Sequence, residues 1–165
     1  MESKLTQDKL KDKLLEATEN ARRGDLEKAI VHLKQILESQ PHHEVSLGML
    51  ASIYLQIGMH QPAISHFKTL LDIYPNNPLA RFQLGMARLA NQEPEKALAV
   101  WAPMLDLKNE FMANFHSALV LIQLGRSEEA LPMVERADKY MPGDHPLYSK
   151  LQEIRAQLNS RPNAN

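Results

Sequence analysis

The chain has 165 residues, 44% of them hydrophobic and 24% charged, with 19 Lys and Arg against 20 Asp and Glu. That length and mix suit one soluble domain or a short repeat array, and the balanced charge supplies no attraction toward nucleic acid or an anionic membrane. There is no cysteine, which excludes disulfides, thiolate metal sites, iron–sulfur clusters and cysteine nucleophiles.

The N-terminal stretch MESKLTQDKLKDKLLEATEN is charged throughout and lacks the apolar core of a signal peptide. The longest apolar run, ALAVWAPML at 97–105, is about half the roughly 20 residues a membrane span needs. A cytoplasmic protein without membrane insertion is therefore expected.

The first predicted helix covers about 3–23 and gives way to GDLEKAI at 24–30, which opens a helix over 26–39. Similar phrases return as GMHQPAI at 58–64, between predicted helices 43–57 and 60–73, and as QEPEKAL at 92–98, between 78–90 and 94–107. A fourth, GRSEEAL at 125–131, lies between predicted helices 111–124 and 127–140. The alanines Ala29, Ala63, Ala97 and Ala130 recur at steps of 34, 34 and 33 residues. Gly24, Gly58 and Gly125 keep that phase, with Gln92 in the third copy; Pro41, Pro75 and Pro142 follow, with Asn109 in the third. Pro103 and Pro132 fall inside predicted helices, where they should produce local curvature, whereas Pro62 and Pro94 lie in first turns. A last helix over 145–158 carries Leu147, Leu151, Ile154 and Leu158 at helical spacing and reads as a cap. The tail NSRPNAN, 159–165, is expected to be disordered.

A period near 34 residues built on helical patterns signals a solenoid of helix–turn–helix units. Glycine permits the tight turn after a first helix, alanine lets two helix axes approach closely, and proline ends the second helix.

On these residues the chain resembles the tetratricopeptide repeats. Leu47, Leu50, Ala51, Tyr54, Ala63, Phe67 and Pro75 stand at the family's marked places in the second repeat, and Leu84, Gly85, Ala97 and Trp101 in the third. Gly24, Ala29, Leu33 and Pro41 match in the first; Ala118, Gly125, Ala130 and Pro142 match in the fourth, with Val134 at the large-apolar place. The resemblance implies an all-α fold, a right-handed superhelical α-solenoid of antiparallel helix pairs with about nine helices. It would form a single domain over 1–158, with repeats at about 10–43, 44–77, 78–110 and 111–144, and the capping helix behind them.

Catalytic patterns do not surface. None of the seven histidines, His32, His42, His43, His60, His66, His116 and His145, pairs with another as in HExxH, and no GxxxxGK[ST], GxGxxG or GxSxG occurs. No enzyme activity, metal or other cofactor is expected. Function should instead reside on the concave surface that the first helices line in this architecture. There the resemblance places Val45, Met49 and Ser52 from the second repeat and Leu79, Phe82, Gln83 and Met86 from the third. Met112, Phe115, His116 and Leu119 come from the fourth. Leu55, Leu89 and Ile122 fit either groove or core.

So apolar a set points to a protein or peptide partner with a hydrophobic or amphipathic segment, and methionines suit a surface that adapts to its ligand. Some cochaperones of this family grip a C-terminal carboxylate with a Lys/Asn/Asn/Lys/Arg clamp; Leu14, Thr18, Met49, Leu79 and Gln83 at those places, or Gly48, Ser52, Gln83, Met112 and His116 one repeat on, lack its charges, and no such clamp is expected. The stretch 80–130 is also similar to the type III secretion translocator chaperones, cytoplasmic proteins that shield a hydrophobic segment. The alternatives are thus such a chaperone, or a homodimer in which a second copy covers the apolar surface.

Overall fold

A computed structural model of the protein describes residues 6–160. Among them are nine α-helices: α1 (Gln7–Arg23), α2 (Leu26–Ser39), α3 (Glu44–Gln56), α4 (His60–Ile73), α5 (Pro78–Ala90), α6 (Pro94–Trp101), α7 (Phe111–Gln123), α8 (Ser127–Tyr140) and α9 (Tyr148–Asn159). The chain divides into two compact units, one ending at Glu93 and the other starting at Pro94. In the first, α1 pairs with α2 and α3 with α4, while α2 packs on α3 and α4 on α5. In the second, α7 pairs with α8, flanked by α6 on one side and α9 on the other.

The recurring glycines mark four nearly identical turns. Gly24, Gly58 and Gly125 adopt φ of 83°, 77° and 76°, and Gln92 adopts φ of 60°. Each closes its helix with two backbone bonds: Gly58 N–H donates to Leu55 O at 3.1 Å and Met59 N–H to Tyr54 O at 2.8 Å, and Gln92 and Glu93 repeat this onto Leu89 O and Arg88 O at 3.0 and 2.9 Å. Two otherwise unpaired carbonyls are satisfied each time, in the left-handed conformation that favours glycine. A Cβ added at Gly24, Gly58 or Gly125 would meet nothing within 4 Å, so glycine is chosen there for backbone angle and not for space.

Between the turns, spacing becomes packing. Ala29, Ala63, Ala97 and Ala130 are all fully buried, as are the residues one turn further on, Leu33, Phe67, Trp101 and Val134. Small side chains at the first set let the paired axes close up. The second set fills the space created, each such burial contributing about 1.5–3 kcal/mol. In the second unit Phe115, Ala118, Leu121, Val134 and Met141 form one core with Leu151 and Ile154 of α9, against which Leu147 and Leu158 are partly buried. The apolar face read in the last helix is thus the face that docks.

Three boundaries differ from expectation. The helix predicted over 94–107 ends at Trp101 and passes into a 3₁₀ turn at Ala102–Met104. Pro103 has no N–H to continue the ladder, and its ring opposes the carbonyl one turn back. Pro132, by contrast, stays inside α8. The last helix starts at Tyr148 instead of 145, because 142–147 form turns in which His145 N–H donates to Pro142 O at 3.0 Å and Tyr148 N–H to His145 O at 2.9 Å. It then runs through Asn159, which the sequence placed in the tail. Residues 161–165 of that tail and 1–5 of the first predicted segment lie outside the described residues.

Candidate functional site in the N-terminal unit

Two side-chain caps aim the helices that build the site. The Asn77 carboxamide oxygen accepts from Ala80 N–H at 2.9 Å and starts α5. At the head of α3, His43 Nδ1 accepts from Ser46 N–H at 3.2 Å and lies 2.9 Å from Ser46 Oγ. Such caps satisfy first-turn donors and are worth about 1 kcal/mol each.

Between α3 and α5 runs a groove of about 450 Å³. Val45, Gly48, Met49 and Ser52, one face of α3 at helical spacing, form one wall. Leu79, Ala80 and Gln83 of α5 form the other, Ala21 of α1 closes a side, and Ile53, Phe67 and Leu70 floor it. The floor is core, but the rim is open: Val45 is 51% and Leu79 67% exposed. The groove is deep because Gly48 has no side chain; a Cβ there would lie 3.5 Å from Leu70 Cδ2. Met49 Sδ lies 3.9 Å from Thr18 Oγ1, whose proton goes to Leu14 O at 2.8 Å. The single charged lining residue is Glu44, whose Oε1 accepts from Asn77 Nδ2 at 2.9 Å.

Of the residues that sequence placed on the concave surface, Val45, Met49, Ser52, Leu79 and Gln83 therefore meet in one groove. Phe82 and Met86 are half-buried on α5 and do not line it. In the second unit the equivalents turn inward. Phe115 is 2% exposed and belongs to the core, and Met112 and Leu119 are half-buried against it. The assignment of Phe115 to an open surface is corrected accordingly: its ring belongs to the core that Val134 of α8 and Leu151 and Ile154 of α9 form. His116 is half-buried with ring centroids 5.5 Å from Phe115 and 6.0 Å from Trp101, and burial holds its pKa below the usual histidine value.

Sequence reasoning missed Glu44, Asn77 and the groove floor. Asn77 was findable, since Asn before Pro at the head of an apolar-periodic segment is a helix-start signal. The floor residues follow only from knowing which helix faces which. Chemically the groove offers apolar surface, one hydroxyl (Ser52), two amides (Asn77 and Gln83) and one carboxylate (Glu44). Among the described residues no group of three His, Cys, Asp or Glu could hold a metal ion, and no helix is long and apolar enough to cross a membrane.

Residues 45–77, the α3–α4 hairpin, match the family model described as Tetratricopeptide repeat. The fold is the tetratricopeptide-repeat fold. A TPR repeat-containing protein of Pseudomonas aeruginosa, PA4667, is 27% identical over 130 residues, covering 78% of this chain and 22% of that relative. The chain thus spans about a fifth of the length of the curated relative it matches. Among solved structures, a MamA protein superposes with a TM-score of 0.77 at 20% identity, over 91% of this chain and 86% of that one. YrrB, described as a TPR protein with an unusual peptide-binding site, gives a TM-score of 0.71 at 20% identity, over 90% and 77% of the two chains. At these identities the tetratricopeptide structures establish the shared fold.

Proposed function

We propose that the chain is a non-enzymatic interaction module that takes a hydrophobic or amphipathic peptide segment in the groove between α3 and α5. The observation that carries this reading is the exposed apolar rim over a buried floor: Val45 and Leu79 face solvent above Phe67 and Leu70. Exposed apolar surface of this kind is costly to leave uncovered and marks a binding site. The description of YrrB as a peptide-binding tetratricopeptide protein supports the same class of ligand. Cytoplasmic localisation and protein partners belong to this proposal.

Site-specific photo-crosslinking tests it. A benzophenone amino acid at Leu79 should yield partner adducts in the native cell; one at Val31, 52% exposed on α2, should not. Equal labelling from both positions would remove the groove as the site. An adduct with a second copy from Leu79 alone would replace the peptide ligand by self-association.

A further inference from the structure

At Glu44 the groove meets a second depression. Pro41, His42, His43 and Tyr74 line it together with Glu44 and Val45, in a volume of about 410 Å³. Glu44 and Val45 also line the apolar groove, so the Glu44 carboxylate stands where one passes into the other. That carboxylate is exposed and oriented: Asn77 Nδ2 donates to its Oε1 at 2.9 Å, and Asn77 is itself fixed by its bond from Ala80 N–H. No cation among the described residues pairs with it, whereas Glu95 and Glu129 share Arg126 and Glu19 has Arg23. The Tyr74 hydroxyl donates to His42 O at 3.0 Å, which holds the phenol ring as a wall of the depression.

A held carboxylate, an aromatic ring and an apolar approach along Val45 and Pro41 form the complement of a long basic side chain. Its methylene stem lies on apolar surface while its head meets charge and a π face. We infer that the groove's occupant is an amphipathic peptide segment with a Lys or Arg at one end of its apolar stripe, the cationic head seated against Glu44 and Tyr74. This rests on the groove being the peptide site, and it adds both a charge preference and a direction. An apolar stripe lying along Met49 and Leu79 can place its basic end at Glu44 in one orientation only.

Displayed random peptides of about 16 residues, some four turns if helical, are selected on the full-length protein, on Glu44→Lys and on Gly48→Leu. Circular dichroism first confirms that the variants are folded; Gly48→Leu adds bulk toward the groove with only Leu70 Cδ2 near its Cβ. The wild-type pool should be enriched in peptides with a Lys or Arg flanking apolar residues, Glu44→Lys should reverse that preference, and Gly48→Leu should lose both pools. For a selected peptide made synthetically, replacing the basic residue by Gln should cost about fivefold in affinity. That loss should shrink at high salt and shrink further on Glu44→Gln, which leaves only the Tyr74 ring facing the cation. Peptides blocked by Gly48→Leu but indifferent to Glu44 would overturn the charge preference and leave the groove standing. No selectable peptide, or unchanged binding to folded Gly48→Leu, would overturn the groove reading itself.

Discussion

The same place in two repeats is Gly48 in the first unit and Phe115 in the second, and they do opposite things. Gly48 puts no side chain into an open groove whose floor is the buried Leu70. Phe115 reaches into a core shared with Leu151 and Ile154. A helical repeat can thus spend one position on a cavity or on packing without altering its period, because the period rests on other residues: the buried alanines and the left-handed turns. The repeat's packing and its groove are written on separate registers of one helix.

The largest expected effect that sharpens this contrast is Phe115→Ala. Deleting a fully buried ring should cost about 3–5 kcal/mol, read as the shift in urea midpoint. Gly48→Ala at the equivalent place should instead stabilise by up to about 1 kcal/mol through helix propensity, since the new methyl makes only ordinary contact with Leu70. Similar losses from both would show that the two places are not functionally divided.

Next in size are the turns. Gly58→Ala forces a side chain into φ of 77° and should lose about 1 kcal/mol. Gln92→Gly relieves φ of 60° and should gain about 0.5–1 kcal/mol, part of the relief being offset by a looser unfolded chain. Thermal unfolding of the pair should move in opposite directions; a destabilised Gln92→Gly would mean that the glutamine side chain contributes more than its backbone strain removes.

The smallest effect is a pH slope. Burial lowers the folded-state pKa of His116, and burial with the nearby Lys34 lowers that of His66. Between those depressed values and the unfolded value near 6.5, the unfolded chain holds more protons than the folded one, so stability rises with pH there. Lowering pH from about 6.5 toward those depressed values should therefore weaken the fold, and His116→Gln should flatten the dependence. A variant with the wild-type slope would assign the acid sensitivity elsewhere.

Much of this architecture was legible in the chain. The 34-residue phase located the turn inside each helix pair, and even the odd copy was readable: Gln92, standing where glycine was expected, takes up the left-handed angle anyway. What the chain concealed is depth. The concave places were named from phase alone, and phase cannot say whether a residue there rises into solvent like Leu79 or sinks like Phe115, since that depends on the size of its neighbours on other helices. The end of α6 was hidden for a different reason. Apolar residues continue past Trp101, so hydrophobic pattern argued for more helix while Pro103 argued against it, and the missing N–H prevailed.

Asn77 starts α5 with its oxygen and steadies Glu44 with its nitrogen, so its chemical ageing would matter. Deamidation would swap that nitrogen for a second anionic oxygen facing the carboxylate. The usual route closes a succinimide ring through the backbone nitrogen of the following residue, and here that residue is Pro78, whose nitrogen carries no hydrogen. The sequence order that starts the helix also shields its asparagine from slow hydrolytic damage.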